Sequence, residues 1–475
     1  METVEHFHHD HERKNIPSDV KVTASNPPSP AAAPHPPGLY DAWWFAGFNS
    51  LSIQILFSSP MILYVKTLGA SSTVMGAVAG MLPLLVIFQI PAASFINQVG
   101  YRRFVLTGWG VRSIFVFGLA FVPLTAGFLD APTQLVGVIL MLFGFNLLTS
   151  ISGCAWLPWM AGNFPEKLFG RYLAGDSAMA NLGSFVTVIL AAAWLGSEPP
   201  PWRFAGLFFF CAIAGLTSLI FLRRIPDAAI PETVCASKEP VPWLEMLRYQ
   251  PFQKLLCTTV VWSAALGGTV VFVILFLKTD AGLSAGKIML VTSVSFLGGL
   301  GSMLLLGHRL DHVGSKPMLG FAFGGWLLII AGWLALAGGV LTAALPLLFA
   351  LQFFMGFFAA LVVIATNRLA VTIAPPMGRA HFLAIYSVIG NVTLGLAPVA
   401  WGLLMDAIGD WHARWLGLTW DRFTILFAAV TLMFAVALGL ACRLEEPKAV
   451  SLEELLIGLL IKSPQRLWLR FWTRT

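Results

Sequence analysis

Residues 93–103 read Ala-Ser-Phe-Ile-Asn-Gln-Val-Gly-Tyr-Arg-Arg, and residues 307–316 read Gly-His-Arg-Leu-Asp-His-Val-Gly-Ser-Lys. Aligned on Gly100 and Gly314, both open on a small residue (Ala93, Gly307). Both carry a short polar side chain three places before the glycine (Asn97, Asp311) and close on basic residues (Arg102-Arg103, Lys316). A second match precedes them: Lys66-Thr67-Leu68-Gly69-Ala70-Ser71 against Lys278-Thr279-Asp280-Ala281-Gly282-Leu283-Ser284. Two segments written twice at nearly the same offset, 212–214 residues, are the mark of an internal repeat. Between and around these loops the chain is almost wholly apolar.

Of the 475 residues, 57% are hydrophobic and 11% charged, and the mean hydropathy is +0.79. A soluble domain carries about a quarter charged residues, so a soluble globular class is excluded, as is general disorder. Crossing a bilayer core takes roughly 20 apolar residues in a helix. Twelve such runs occur, near 40–65, 73–96, 104–127, 132–161, 171–196, 203–223, 253–277, 285–306, 317–339, 345–373, 381–406 and 422–443. The fold class is therefore an all-α membrane protein, twelve transmembrane helices in two pseudo-symmetric six-helix bundles.

An even number of spans puts both ends on one side. That side then holds 21 of the 29 Lys and Arg and the other side six, with Arg112 and Arg368 inside spans. Basic loops stay cytoplasmic. The chain is thus expected in the cytoplasmic membrane with both termini inside, and the net charge of +6 reports orientation, not nucleic-acid binding. Residues 1–39 read as a Pro-rich cytoplasmic tail, 40–224 as the first bundle, 225–252 as a linker and 253–445 as the second bundle. Residues 446–475 read as an amphipathic helix whose Lys462, Arg466, Arg470 and Arg474 face the anionic lipid of the inner leaflet. The tail histidines His6, His8, His9 and His11 have no fixed geometry, and the five cysteines have neither CxxC spacing nor a disulfide framework. No metal or cofactor is expected.

The loop pair resembles the signature of the major facilitator superfamily, G-x-x-x-D-R-x-G-R-R between the second and third helices with a weaker copy between the eighth and ninth. The second copy keeps Gly307, Asp311, Gly314 and Lys316; the first keeps Gly100, Arg102 and Arg103 but has Ala93 and Asn97 for the first Gly and the Asp. Trp156-Leu157-Pro158-Trp159-Met160 and the segment from Pro165 to Tyr172 look like the fourth-to-fifth loop of bacterial members, with Pro375-Pro376-x-x-Arg379 in the equivalent place. The resemblance implies a monomeric secondary transporter that moves a small organic solute by alternating access, with export favoured over uptake. It also implies a cytoplasmic gate drawn from Gly100, Arg102, Arg103, Gly307, Asp311, Gly314 and Lys316. The competing class is a non-transporting receptor or assembly factor of the same fold, motivated by the altered first loop.

Ionisable groups inside a membrane are costly and are kept for pairing or function. Asp176, Arg112 and Arg368 are the embedded ones, either a proton-coupling set or a static ion pair. Uncharged polar side chains at mid-depth are the candidate solute contacts: Asn49, Gln54, Asn146, Asn181, Trp262, Gln352 and Asn391. Amides in a wet cavity hydrogen-bond a neutral solute, and an indole offers a stacking face. The spans hold no HExxH, P-loop or GxSxG, so the chain is not read as an enzyme.

Overall fold

The computed structural model describes residues 38–164, 166–228, 243–306, 314–373, 379–415 and 417–444. Residues 1–37 of the expected tail, half of the linker (229–242), Gly307, Asp311 and the segment 446–475 lie outside them. Twelve helices long and apolar enough to span a bilayer are present. They are Leu39–Thr67, Ser72–Ile96, Tyr101–Gly127, Ala131–Asn163, Tyr172–Leu195, Pro201–Leu222, Gln250–Thr279, Ala285–Leu306, Ser315–Ala337, Leu345–Ile373, Phe382–Ile408 and Arg422–Cys442, numbered here as spans 1 to 12.

Local sequence accounts for the interruptions. Span 1 breaks at Ser58, which is extended, because Pro60 at the start of the next helix lacks the N–H that would continue the ladder. Span 2 tightens to a 3-10 turn at Val86–Phe88, just past Pro83. Span 4, expected as one helix, is two, Ala131–Gly153 and Trp156–Asn163. The paired glycines of the repeat have a backbone reason. Gly100 (φ 84°, ψ 152°) and Gly314 (φ 95°, ψ 162°) start spans 3 and 9 in a region that only glycine enters cheaply. A feature absent from the sequence reading is an antiparallel hairpin, β1 (Ala413–Trp415) and β2 (Leu418–Trp420), between spans 11 and 12. Its Thr419 N–H donates to the Gly338 carbonyl (3.0 Å), tying it to the end of span 9.

Packing repeats in the two halves. Span 1 lies against spans 5 and 6, and span 3 against 4 and 6; span 7 lies against 11 and 12, and span 9 against 10 and 12. Outward surfaces carry exposed leucines such as Leu304, Leu328 and Leu432, as a lipid-facing wall requires. The most extensive contacts between the bundles are span 2 with span 11 and span 5 with span 8, and the part of span 1 beyond Ser58 also meets spans 7 and 8.

Association of helices in lipid relies on close van der Waals approach, which small residues permit. Inside the second bundle a Cβ on Gly298 would strike the Phe353 carbonyl, and one on Gly356 the Ser295 carbonyl, so spans 8 and 10 touch backbone to backbone. Between bundles, a Cβ on Gly76 would strike the Pro398 carbonyl and one on Gly80 the Gly395 carbonyl. These two seams predict different outcomes. Gly356→Leu should overpack the bundle and destabilise the protein by about 1–3 kcal/mol, read as a lower melting temperature of the purified protein. Gly80→Leu should leave melting nearly unchanged and instead separate spans 2 and 11, read as a longer distance between spin labels on the two bundles.

Candidate functional site

The bundles are sealed together at the face remote from the described chain ends, the far face. There the carboxylate of Asp406, near the end of span 11, accepts from Ser72 N–H (2.9 Å), Thr73 N–H (2.8 Å) and the Thr73 hydroxyl (2.6 Å) at the start of span 2. A helix leaves its first N–H groups unsatisfied and carries partial positive charge there, so an acid from the other bundle is a favourable cap. The pseudo-symmetric place is closed by backbone alone. Gly286 N–H donates to the Gly196 carbonyl (2.7 Å) and Ala285 N–H to the Ser197 carbonyl (3.4 Å). Nearer mid-depth, the Ser59 and Thr292 hydroxyls share a hydrogen bond of 2.8 Å across the bundles.

Beneath this seal lies a cavity of about 380 Å³ between the bundles, within the size range of small-molecule sites. Gln54, Ser58 and Ser59 line it from the first bundle, and Thr292, Ser295, Trp326 and Gln352 from the second, the remaining wall being mainly aliphatic. A second cleft, about 420 Å³, opens within the second bundle among spans 7, 10 and 11. Thr259, Trp262, Ser263, Thr366, Asn367, Tyr386, Ser387 and Asn391 supply its polar wall. Among the described residues, no charged side chain lines either space.

The structure thus divides the polar residues singled out from sequence. Gln54 and Gln352 meet in the central cavity, while Trp262 and Asn391 meet in the second cleft. Asn181 lies outside both linings; its amide donates to the Ser177 carbonyl (2.8 Å) and its oxygen abuts Gly299 of span 8. Asn146 is buried, its carbonyl oxygen without a partner. Asn49 accepts from the Arg112 guanidinium (2.5 Å), which also reaches the Thr149 hydroxyl (3.4 Å). Arg112 is only 4% exposed and lies over the rings of Trp109 (4.7 Å) and Phe145 (5.4 Å). Its charge is therefore met by an amide, a hydroxyl and two π faces. The static pairing of Arg112 with Asp176 is not formed; Asp176 is half-buried on span 5. Arg368 is half-buried on span 10 near the face of the chain ends. Sequence reasoning missed Ser58, Ser59, Thr292, Trp326 and Tyr386 as lining residues. The break that Pro60 forces was the available signal for the first two.

At the face of the chain ends, Arg102 works within its own bundle. Its guanidinium donates to the Arg223 carbonyl, and its N–H donates to Asp227 (3.3 Å). Pro226 accepts from the Trp159 indole (2.9 Å) and the Asn163 amide (3.0 Å), and Arg224 pairs with Asp41 at 3.8 Å. These contacts hold the root of the linker against Gly100 and the end of span 6. Gly314 caps span 9, and Lys316 lies in the first turn that follows.

A family model described as Major Facilitator Superfamily matches residues 43–325 and again 261–474. The chain belongs to that superfamily. Among solved structures it is similar to the nucleoside transporter NupG (11% identity, TM-score 0.63, covering 86% of this chain and 98% of that one). It is also similar to a D-xylose–proton symporter (14%, 0.65, 86% and 97%). A third is a POT family transporter solved with 5-aminolevulinic acid (14%, 0.64, 87% and 97%). No curated protein sequence matches it. Superfamily and fold together make it a multi-pass membrane transporter.

The far-face cap yields a direct expectation. Asp406→Ala deletes three hydrogen bonds from an exposed seam, a loss of about 1 kcal/mol, or roughly fivefold in the equilibrium between sealed and open far faces. In a cysteine-free background, Ser295→Cys in the central cavity should then label several-fold faster with a membrane-impermeant maleimide applied to the far face.

Proposed function

We propose that this transporter carries an uncharged small organic solute across the cytoplasmic membrane by alternating access of the central cavity. The observation that carries the reading is the lining itself. Hydrogen-bonding groups converge from both bundles, with Gln54 on one and Gln352 on the other, and no charge lies among them. An ionic solute would leave its charge desolvated against aliphatic walls, at a cost of several kcal/mol per ion. A neutral polar solute is matched by amides and hydroxyls. The loop-charge bias supports the cytoplasm as the side of the chain ends, so the sealed far face is external and the conformation is inward-facing. The basic segment 446–475 is read as binding anionic lipid on that inner side.

Flux into proteoliposomes tests the reading with a panel of uncharged sugars and nucleosides set against organic acids, amino acids and organic cations. Saturable flux of an uncharged member is expected, falling tenfold or more in Gln54→Leu and in Gln352→Leu. Flux confined to a charged member would overturn the neutral class. Absence of flux across the whole panel, from protein that stays folded, would favour the receptor reading.

Coupling is assigned to Asp176, which stands apart from both linings, so a proton there would act through bundle conformation instead of competing with the solute. Asp176→Asn is expected to abolish accumulation driven by a pH gradient while solute counterflow persists. Equal loss of both activities would make Asp176 a packing residue.

A further inference from the structure

We infer that the cleft inside the second bundle is a second solute subsite, built for an uncharged ring bearing hydroxyl groups. Leu266 and Leu394 form the partition between it and the central cavity. The inference rests on the neutral-solute reading and adds a second stop to it.

Geometry places the two spaces in sequence. Leu266 of span 7 and Leu394 of span 11 line both, so the spaces are neighbours divided by two leucine side chains. On the central side the wall continues to Val270, Val271 and Ile274, towards the far-face end of span 7. On the other side it runs to Thr259 in span 7, Val371 near the end of span 10 and Leu383 at the start of span 11. The cleft therefore occupies the half of the bundle next to the chain ends. A solute that leaves the sealed central cavity towards that face passes it. Aromatic contact bridges the same step. Trp326 lines the central cavity and Trp262 lines the cleft, and their rings meet at 5.5 Å, nearly perpendicular.

The hydrogen-bond inventory fixes the class of ligand. The hydroxyl protons of Thr259 and Thr366 are directed at the Leu255 (2.9 Å) and Val362 (2.7 Å) carbonyls, and both hydroxyls also lie within hydrogen-bond reach of the Tyr386 hydroxyl. Asn391 spends its amide hydrogens on the Ser387 carbonyl (2.8 Å) and hydroxyl (3.3 Å), so its carbonyl oxygen is left to accept. The Tyr386 hydroxyl donates to the Asn367 oxygen (3.3 Å), leaving the Asn367 amide hydrogens as donors. Ser263 and Ser387 add hydroxyls that can donate or accept, so this wall offers both kinds of partner and none of them is charged. A ligand that meets both without carrying a charge is one with several O–H groups. The indole face of Trp262 suits the apolar side of a ring.

Equilibrium binding of radiolabelled D-xylose and of uridine to the purified protein in lipid nanodiscs tests this. Two moles of at least one probe should bind per mole of protein. Asn391→Leu should remove one of them, weakening it tenfold or more, while the site lost in Gln352→Leu is kept. That retained site reports that the variant is folded. Leu394→Trp, which fills the partition, should slow efflux tenfold or more. Saturation at one mole, insensitive to Asn391→Leu, would overturn the second subsite and leave the central one standing. Failure of both probes to bind at any site would overturn the neutral-solute reading and the subsite with it.

Discussion

The arrangement depends on how closely two bundles of six helices can approach without water between them. Where spans 2 and 11 cross, glycines at 76, 80, 395 and 402 let main chains touch, and the same device joins spans 8 and 10 within one bundle. Backbones brought this close place the first N–H groups of spans 2 and 8 beside acceptors from spans 11 and 5. The far-face seal is thus made of helix-end groups that need partners wherever they are withheld from water. Such a contact is strong enough to define a state. It is also cheap to open, because water replaces the acceptor as the bundles part. A seam of interlocked side chains would not have this property, since each opening would expose apolar surface.

The charged contacts at the face of the chain ends stay within the first bundle and the root of the linker. Cations and acids gather at the two faces, as at Asp41 with Arg224 and at Asp227 with the start of span 3. The one fully buried guanidinium among the described residues, Arg112, is solvated locally by Asn49, Thr149 and two rings. It thereby ties spans 1, 3 and 4 into one rigid body behind the cavity wall. Between the Gln54 and Gln352 sides of the central cavity the described lining offers dipoles only. This explains why polar residues that look alike in sequence serve different ends. Asn49 holds an arginine and Gln54 lines a cavity, although they lie five residues apart in the same helix.

The twelve spans and the two-fold repeat were legible because their causes are local or periodic: apolar runs of sufficient length, and glycines at 100 and 314 that only one backbone conformation explains. The paired bundles followed from the loops. The site was legible in part. Gln54, Trp262, Gln352 and Asn391 could be picked as uncharged polar groups at depth, but their division between two spaces depends on helix rotation, which composition does not encode. Tyr386 and Thr259 read as ordinary members of apolar helices until spans 7, 10 and 11 are assembled. The hairpin at 413–420 was hidden because three-residue strands carry no periodicity, and the cap at Asp406 because its partners lie more than three hundred residues away.

Departure from symmetry at the faces has a physical consequence. In the first signature loop position 97 is Asn, and the carboxylate that meets the start of span 3 comes instead from Asp227 at the linker root. That contact closes within one bundle, so it rigidifies the bundle without joining it to its neighbour. At the far face the acid at 406 caps a helix of the opposite bundle. An intra-bundle cap is indifferent to the rocking of the bundles, whereas a cross-bundle cap is made in one state and lost in the other. Of the two contacts, only the one at Asp406 would be broken by parting the bundles at the far face. The differential is small per contact, but about 1 kcal/mol already changes a two-state balance roughly fivefold.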